Sequence, residues 1–242
     1  MVKNLAPAMM AVAILFGCLG SAHAADLLIL KSTVSDILPE GGILDGSKQL
    51  TLPAGAAVTL VGEAGNKINL KGPYSGVPGA AEQSAGGGIG RRMLSALSRL
   101  ISGTPRDASK LGVTRGGASG MSADLWKINI SMSGDHCLPA DTSAELWRAR
   151  ADKASTLSIK RYRTRSWVKT QWPAGADSLA WPDGMEVIDD ATYLVRLGAG
   201  ITVSKVVLHL LPNDLPSDFH RAAWMADNGC LRQARTLLSS LQ

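Results

Sequence analysis

The stretch Thr192-Tyr193-Leu194-Val195-Arg196-Leu197-Gly198-Ala199-Gly200-Ile201-Thr202-Val203-Ser204-Lys205-Val206-Val207-Leu208-His209-Leu210 decides the fold class. Two runs rich in β-branched residues flank a Gly-Ala-Gly step, the pattern of two strands and a hairpin. Upstream, Leu125 to Ser131, Leu157 to Lys160 and Ser166 to Trp172 alternate apolar and polar residues, as strands with one buried face do. About six strands at this spacing predict a β-sandwich-like domain. Downstream the period becomes helical. Ser217 can cap a helix reaching Asp227, Asn228-Gly229 can stop it, and Cys230 to Leu241 reads as a second helix.

Residues 25–76 predict a second, smaller β-module. Leu27-Leu28-Ile29-Leu30, Leu50-Thr51-Leu52, Val58-Thr59-Leu60-Val61 and Lys67-Ile68-Asn69-Leu70-Lys71 are short strand-like runs separated by Gly and Pro. Asp45-Gly46 and Ala64-Gly65-Asn66 have the residues of hairpin turns. Residues 77–122 read as a Gly-, Ser- and Arg-rich linker carrying one short amphipathic helix from Arg91 to Ile101. The expected fold is therefore mainly β. A small N-terminal β-module, a flexible linker and a C-terminal β-sandwich-like domain over 123–242 follow one another, and a two-helix hairpin closes the last.

The pattern Leu50-Thr51-Leu52-Pro53-Ala54-Gly55-Ala56-Ala57-Val58-Thr59-Leu60-Val61 followed by Gly65-Asn66-Lys67-Ile68-Asn69-Leu70-Lys71-Gly72-Pro73 resembles a FecR-type domain. The resemblance implies a repetitive β-structure working in the periplasm. The family's signalling members carry a cytoplasmic helical segment and a membrane helix before this module. This chain shows neither pattern, so an anti-sigma role is not implied.

The N-terminus supports an exported setting. Lys3, the apolar run Ala8 to Leu19, the break at Gly20-Ser21 and Ala22-His23-Ala24 read as a signal peptide over 1–24, cleaved after Ala24. Leu15-Phe16-Gly17-Cys18 makes a poor lipobox because of the bulky Phe16, so a lipid anchor at Cys18 is not expected. No later run is long and apolar enough to span a bilayer. Cleavage would leave Cys137 and Cys230, an even pair that predicts a disulfide in an oxidising compartment. Closing so long a loop is worth roughly 4–5 kcal/mol at most. Reduction is expected to weaken the second domain and spare the first.

The chain carries a net charge of +5. Residues 84–123 hold six basic side chains and one acidic one, so the linker carries the surplus. The densest basic run is Lys160-Arg161-Tyr162-Arg163-Thr164-Arg165. Lys160, Arg161, Arg163 and Arg165 are candidate anion-binding residues, and export points to an envelope anion instead of nucleic acid. They compete with a simpler role, charges that guard a strand edge. Trp172-Pro173-Ala174-Gly175 and Trp181-Pro182-Asp183-Gly184 repeat a Trp-Pro-x-Gly step. Trp172 and Trp181 are candidates for stacking against sugar faces, or for plugging the ends of a core.

Catalytic and cofactor motifs are not found. Ser119 lacks the second Gly of a nucleophile elbow, and His136, His209 and His220 fall in no recognised spacing. His209 alternates with Leu208 and Leu210 and should face solvent. Asp135-His136-Cys137 with His220 and Cys230 lacks the close pairs of a zinc site. Gly86-Gly87-Gly88-Ile89-Gly90 lacks the Lys-Ser/Thr of a phosphate loop. The sequence thus predicts no catalytic residue, cofactor or metal. It predicts an exported, non-catalytic protein that binds an envelope protein, with envelope sensing or signalling as the expected setting, or, alternatively, one that binds wall glycan or another anionic envelope polymer.

Overall fold

A computed structural model describes residues 25–81, 89–103, 122, 124–199 and 202–242. The signal-peptide segment and much of the linker, including its Gly-rich run at 86–88, lie outside the described residues. The fold is mainly β, with several sheets and a C-terminal helical pair.

The first module pairs β1 (Asp26–Ser32), β2 (Ile43–Asp45), β4 (Ala57–Gly62) and β5 (Lys67–Lys71) in the order β2-β1-β4-β5, all antiparallel. Two further strands, β3 (Leu50–Leu52) and β6 (Tyr74–Gly76), pair with each other. The continuous apolar run of β1 has a simple cause. Leu27 and Ile29 enter one core with Leu52, Val58 and Leu60, while Leu28 and Leu30 point to the opposite face and enter another. A strand buried on both faces has no polar positions to alternate with. Ala64-Gly65-Asn66 turns β4 into β5, as expected, and the Gly62 N–H donates to the Asn66 carbonyl at 3.0 Å. Asp45-Gly46 is not a hairpin turn: β2 and β3, on either side of it, belong to different sheets.

The second domain is two sheets around one core. The larger has the order β11 (Val168–Trp172), β10 (Ser155–Arg161), β13 (Ala191–Leu197), β14 (Ser204–Leu211), β8 (Gly134–Pro139). The smaller is β12 (Ser178–Ala180), β9 (Glu145–Trp147), β7 (Ile128–Asn129). Their facing side chains, among them Ile128, Leu146, Leu157, Ile159, Trp172, Tyr193 and Leu208, form the core. The β13–β14 hairpin stands where its alternation places it. β8 joins β14 in parallel, a long-range pairing, and only Ile128–Asn129 of the run Leu125 to Ser131 is strand.

The helices depart most from the expected layout. α1 (Ile89–Ser102), α2 (Asp218–Asp227) and α3 (Leu231–Ser240) pack together. Met93, Leu94, Leu97, Phe219, Ala222, Met225, Ala234 and Leu238 form one core with Leu28, Leu30 and Val61 of the first sheet and Cys137 and Leu211 of the second. α1 is therefore a core helix, not a tether element. The C-terminal pair shares a core with the first module's sheet as well as joining the second domain. Ser217 caps α2 as predicted, its side chain accepting from the His220 N–H. The Cys137–Cys230 disulfide is formed and links strand β8, not a loop, to the start of α3. Among the described residues no helix is long and apolar enough to cross a membrane.

Candidate anion-binding face

The five-stranded sheet turns Leu157, Ile159 and Val195 inward. Side chains alternate along a strand, so Thr156, Ser158 and Lys160 of β10 project outward. Their cross-strand partners share that face. Thr156 pairs Gln171, Ser158 pairs Lys169 and Arg196, and Lys160 pairs Leu194, which in turn pairs Lys205. Four cations thus occupy these rows, and no carboxylate does.

Trp167, just before β11, is the centre of the face. The Lys160 ammonium and the Arg196 guanidinium each lie 5.1 Å from its ring centroid, within cation–π range. The Arg196 Nε is buried and has no hydrogen-bond partner. No carboxylate comes within ion-pair distance of Lys160, Lys169, Arg196 or Lys205 among the described residues. Two apolar groups flank the cations, Tyr162 at 52% and Val203 at 41% exposure. Lys160 also donates to the Thr164 carbonyl at 3.1 Å, which ties the β10–β11 turn to the face. Arg161, Arg163 and Arg165 are exposed in and beside that turn, with Arg163 lying over the Tyr162 ring.

Past this open half, the same face of the sheet goes under the helices at Cys137 and Leu211. His209 stands at the division. Its side chain is only 11% exposed, so it does not face solvent as its alternation suggests. Nδ1 lies 2.7 Å from Asp190 Oδ1 and Nε2 lies 3.0 Å from Asp135 Oδ1. Burial works against its charge, but the two carboxylates outweigh it and raise its pKa. Asp189 and Asp190 bring their oxygens close enough to His209 for a metal, yet both imidazole nitrogens already face carboxylates.

Of the two roles open to Trp172 and Trp181, stacking on sugars or plugging the core, the second is the one they take. Trp172 is 0% exposed, so it has no ring face to offer. Its indole N–H donates to the Ala176 carbonyl at 2.9 Å. The buried Arg148 lies 4.9 Å from the ring centroid, donating to the Ala176 and Pro173 carbonyls. Trp181 repeats the device: its indole N–H donates to the Met185 carbonyl at 2.7 Å, and its ring meets Tyr193 edge-on. In both turns the Gly has positive φ, +82° at Gly175 and +75° at Gly184, a region other residues rarely enter. The Trp-Pro-x-Gly repeat builds the same turn twice, with an indole fastening each.

Ser217 Oγ lies 2.8 Å from His220 Nδ1, a distance at which a base could activate a hydroxyl. Ser217 is already the cap of α2, and no third group orients the ring through Nε2 among the described residues. Trp167, Lys169, Arg196 and Lys205, which complete the basic face, are not singled out by the sequence. The available signal was register, since Lys160, Ser158 and Arg196 fall on one face only once β10, β11 and β13 are paired. No family model, curated protein or solved structure matches the chain.

Proposed function

We propose that this is an exported, non-catalytic binding protein whose open basic face takes an anionic component of the cell envelope. The observation that carries it is the placement of Lys160, Lys169, Arg196 and Lys205 on one sheet face, with Lys160 and Arg196 meeting at Trp167 and no carboxylate on their rows. Unpaired cations beside exposed aromatic and aliphatic groups suit a phosphate- or carboxylate-bearing headgroup or polymer. Stacking on a neutral sugar is less well supported, because Trp172 is buried and Trp167 already faces two cations. The Cys137–Cys230 disulfide supports an oxidising compartment, and the FecR-type likeness of residues 50–73 supports an envelope setting.

The test is co-sedimentation of the purified protein with phosphatidylglycerol vesicles and, separately, with isolated cell-wall sacculi, across a salt series. Binding to at least one should weaken as salt rises. Replacing Lys160, Lys169 and Lys205 together by Gln should weaken it about a hundredfold, at about 1 kcal/mol per cation near an anionic surface. Salt-independent retention, or retention unchanged in the triple variant, would overturn the reading.

A further inference from the structure

A cavity of about 50 Å³ lies between α3 and the segment leading into β8. Four charged side chains line it: Asp124, Lys127, Asp135 and Arg232. Two of them, Lys127 and Asp135, face a group that can carry the opposite charge. Lys127 Nζ lies 3.2 Å from a Glu145 carboxylate oxygen and donates to Ser178 Oγ. Asp135 is held by His209 at 3.0 Å. Asp124 accepts from the Trp126 N–H at 2.9 Å.

Arg232 is the cation left over. No carboxylate lies within 4.0 Å of its guanidinium among the described residues. Its Nη1 rests against the Met132 sulfur, a weak acceptor. The side chain is partly buried, and that burial depresses its pKa. A guanidinium removed from water without a counter-charge is costly, and an anion in the adjoining cavity would offset that cost. On the rest of the wall Asp135 shares the His209 imidazole with Asp190 and Asp124 accepts a backbone N–H, so the Arg232 side of the cavity is the one that favours an anion.

We propose that this cavity binds one oxyanionic group, with Arg232 as its counter-charge. The volume sets the scale: the space takes a carboxylate, sulfate or phosphate head. The group is a free small anion or the head of a larger ligand whose remainder stays outside. This site is separate from the basic sheet face and does not depend on it.

The test is the thermal stability of the full chain in sodium sulfate, phosphate and acetate, each against sodium chloride at equal ionic strength. A saturable rise in Tm with at least one oxyanion, absent with chloride, is expected. Sulfate or phosphate acting alone would assign a tetrahedral head, and acetate alone a carboxylate. Arg232→Gln should weaken the response at least about tenfold and Arg232→Lys less, since Lys keeps the charge and loses the fork. Lys160→Gln with Lys169→Gln should leave the Arg232-dependent part of the response, the difference between the unaltered protein and Arg232→Gln, in place, which separates this site from the sheet face. Amide NMR of the unaltered protein needs no variant: shifts should centre on Asn129, Arg232 and Thr236. No response beyond chloride, an equal response in Arg232→Gln, or shifts confined to β10 and β11 would overturn the proposal.

Discussion

His136 and His209 stand on neighbouring strands and titrate in opposite senses. His136 is buried against the second domain's core, and desolvation lowers its pKa to about 4. His209 has its pKa raised, because Asp135 and Asp190 outweigh burial. An unfolded histidine titrates near pH 6.5. For His136 the unfolded chain takes up a proton first as pH falls. Its stabilisation is therefore complete above pH 6.5 and is lost as pH falls toward about 4. For His209 the folded chain holds its proton longer, so its contribution is present below pH 6.5 and is lost as pH rises through the raised value. Melting temperatures from pH 4 to 8 should fall toward both ends. His136→Gln should flatten the acid limb and His209→Gln the alkaline limb; a single variant that flattens both would refute the division of roles. The sequence shows which face His209 occupies but not what waits there, since Asp135 lies 74 residues away in the chain.

The amphipathic pattern from Arg91 to Ile101 reveals a helix and says nothing of its partner. Composition on either side, rich in Gly and Ser, suggests a tether. Yet Leu94 and Leu97 are fully buried, among α2, α3 and the first sheet. A helix stripe of Met93, Leu94, Leu97 and Leu100 needs a surface to cover, and that surface is assembled from segments more than a hundred residues apart in sequence. Local reading therefore found the element and missed its place. β8 was harder still. Gly134-Asp135-His136-Cys137-Leu138-Pro139 has little strand-like alternation, and it is held by parallel pairing to β14. The β13–β14 hairpin was legible because its pairing is local. Leu97→Ala distinguishes a core helix from a tether. Truncation of a buried Leu should cost about 2–5 kcal/mol, whereas a solvated linker helix would lose little. Urea unfolding should show a lower midpoint at an unchanged slope; an unchanged midpoint would return α1 to the linker.

At the scale of the whole chain, the helical core ties the two β-modules together. It takes Leu28, Leu30 and Val61 from one and Cys137 and Leu211 from the other. This changes what the disulfide does. Were the modules independent, reduction would weaken only the second. Cys137 and Cys230 sit inside the shared core, and the bond fixes the start of α3, which lies beside α2. α2 packs on α1, and α1 on the first sheet. Loosening α3 from β8 should therefore reach the first module through the helices. The bridge closes a loop of 93 residues, for which chain entropy alone gives about 4–5 kcal/mol. In calorimetry the oxidised chain should melt as one cooperative unit, and reduction should lower the Tm of that unit as a whole. Amide protection in β10 and β13 follows the second domain, and amide protection in β1 and β4 follows the first; both should weaken together on reduction. If protection in β1 and β4 is indifferent to reductant while that in β10 and β13 falls, the helical core does not couple the modules, and the expectation of two independent units stands.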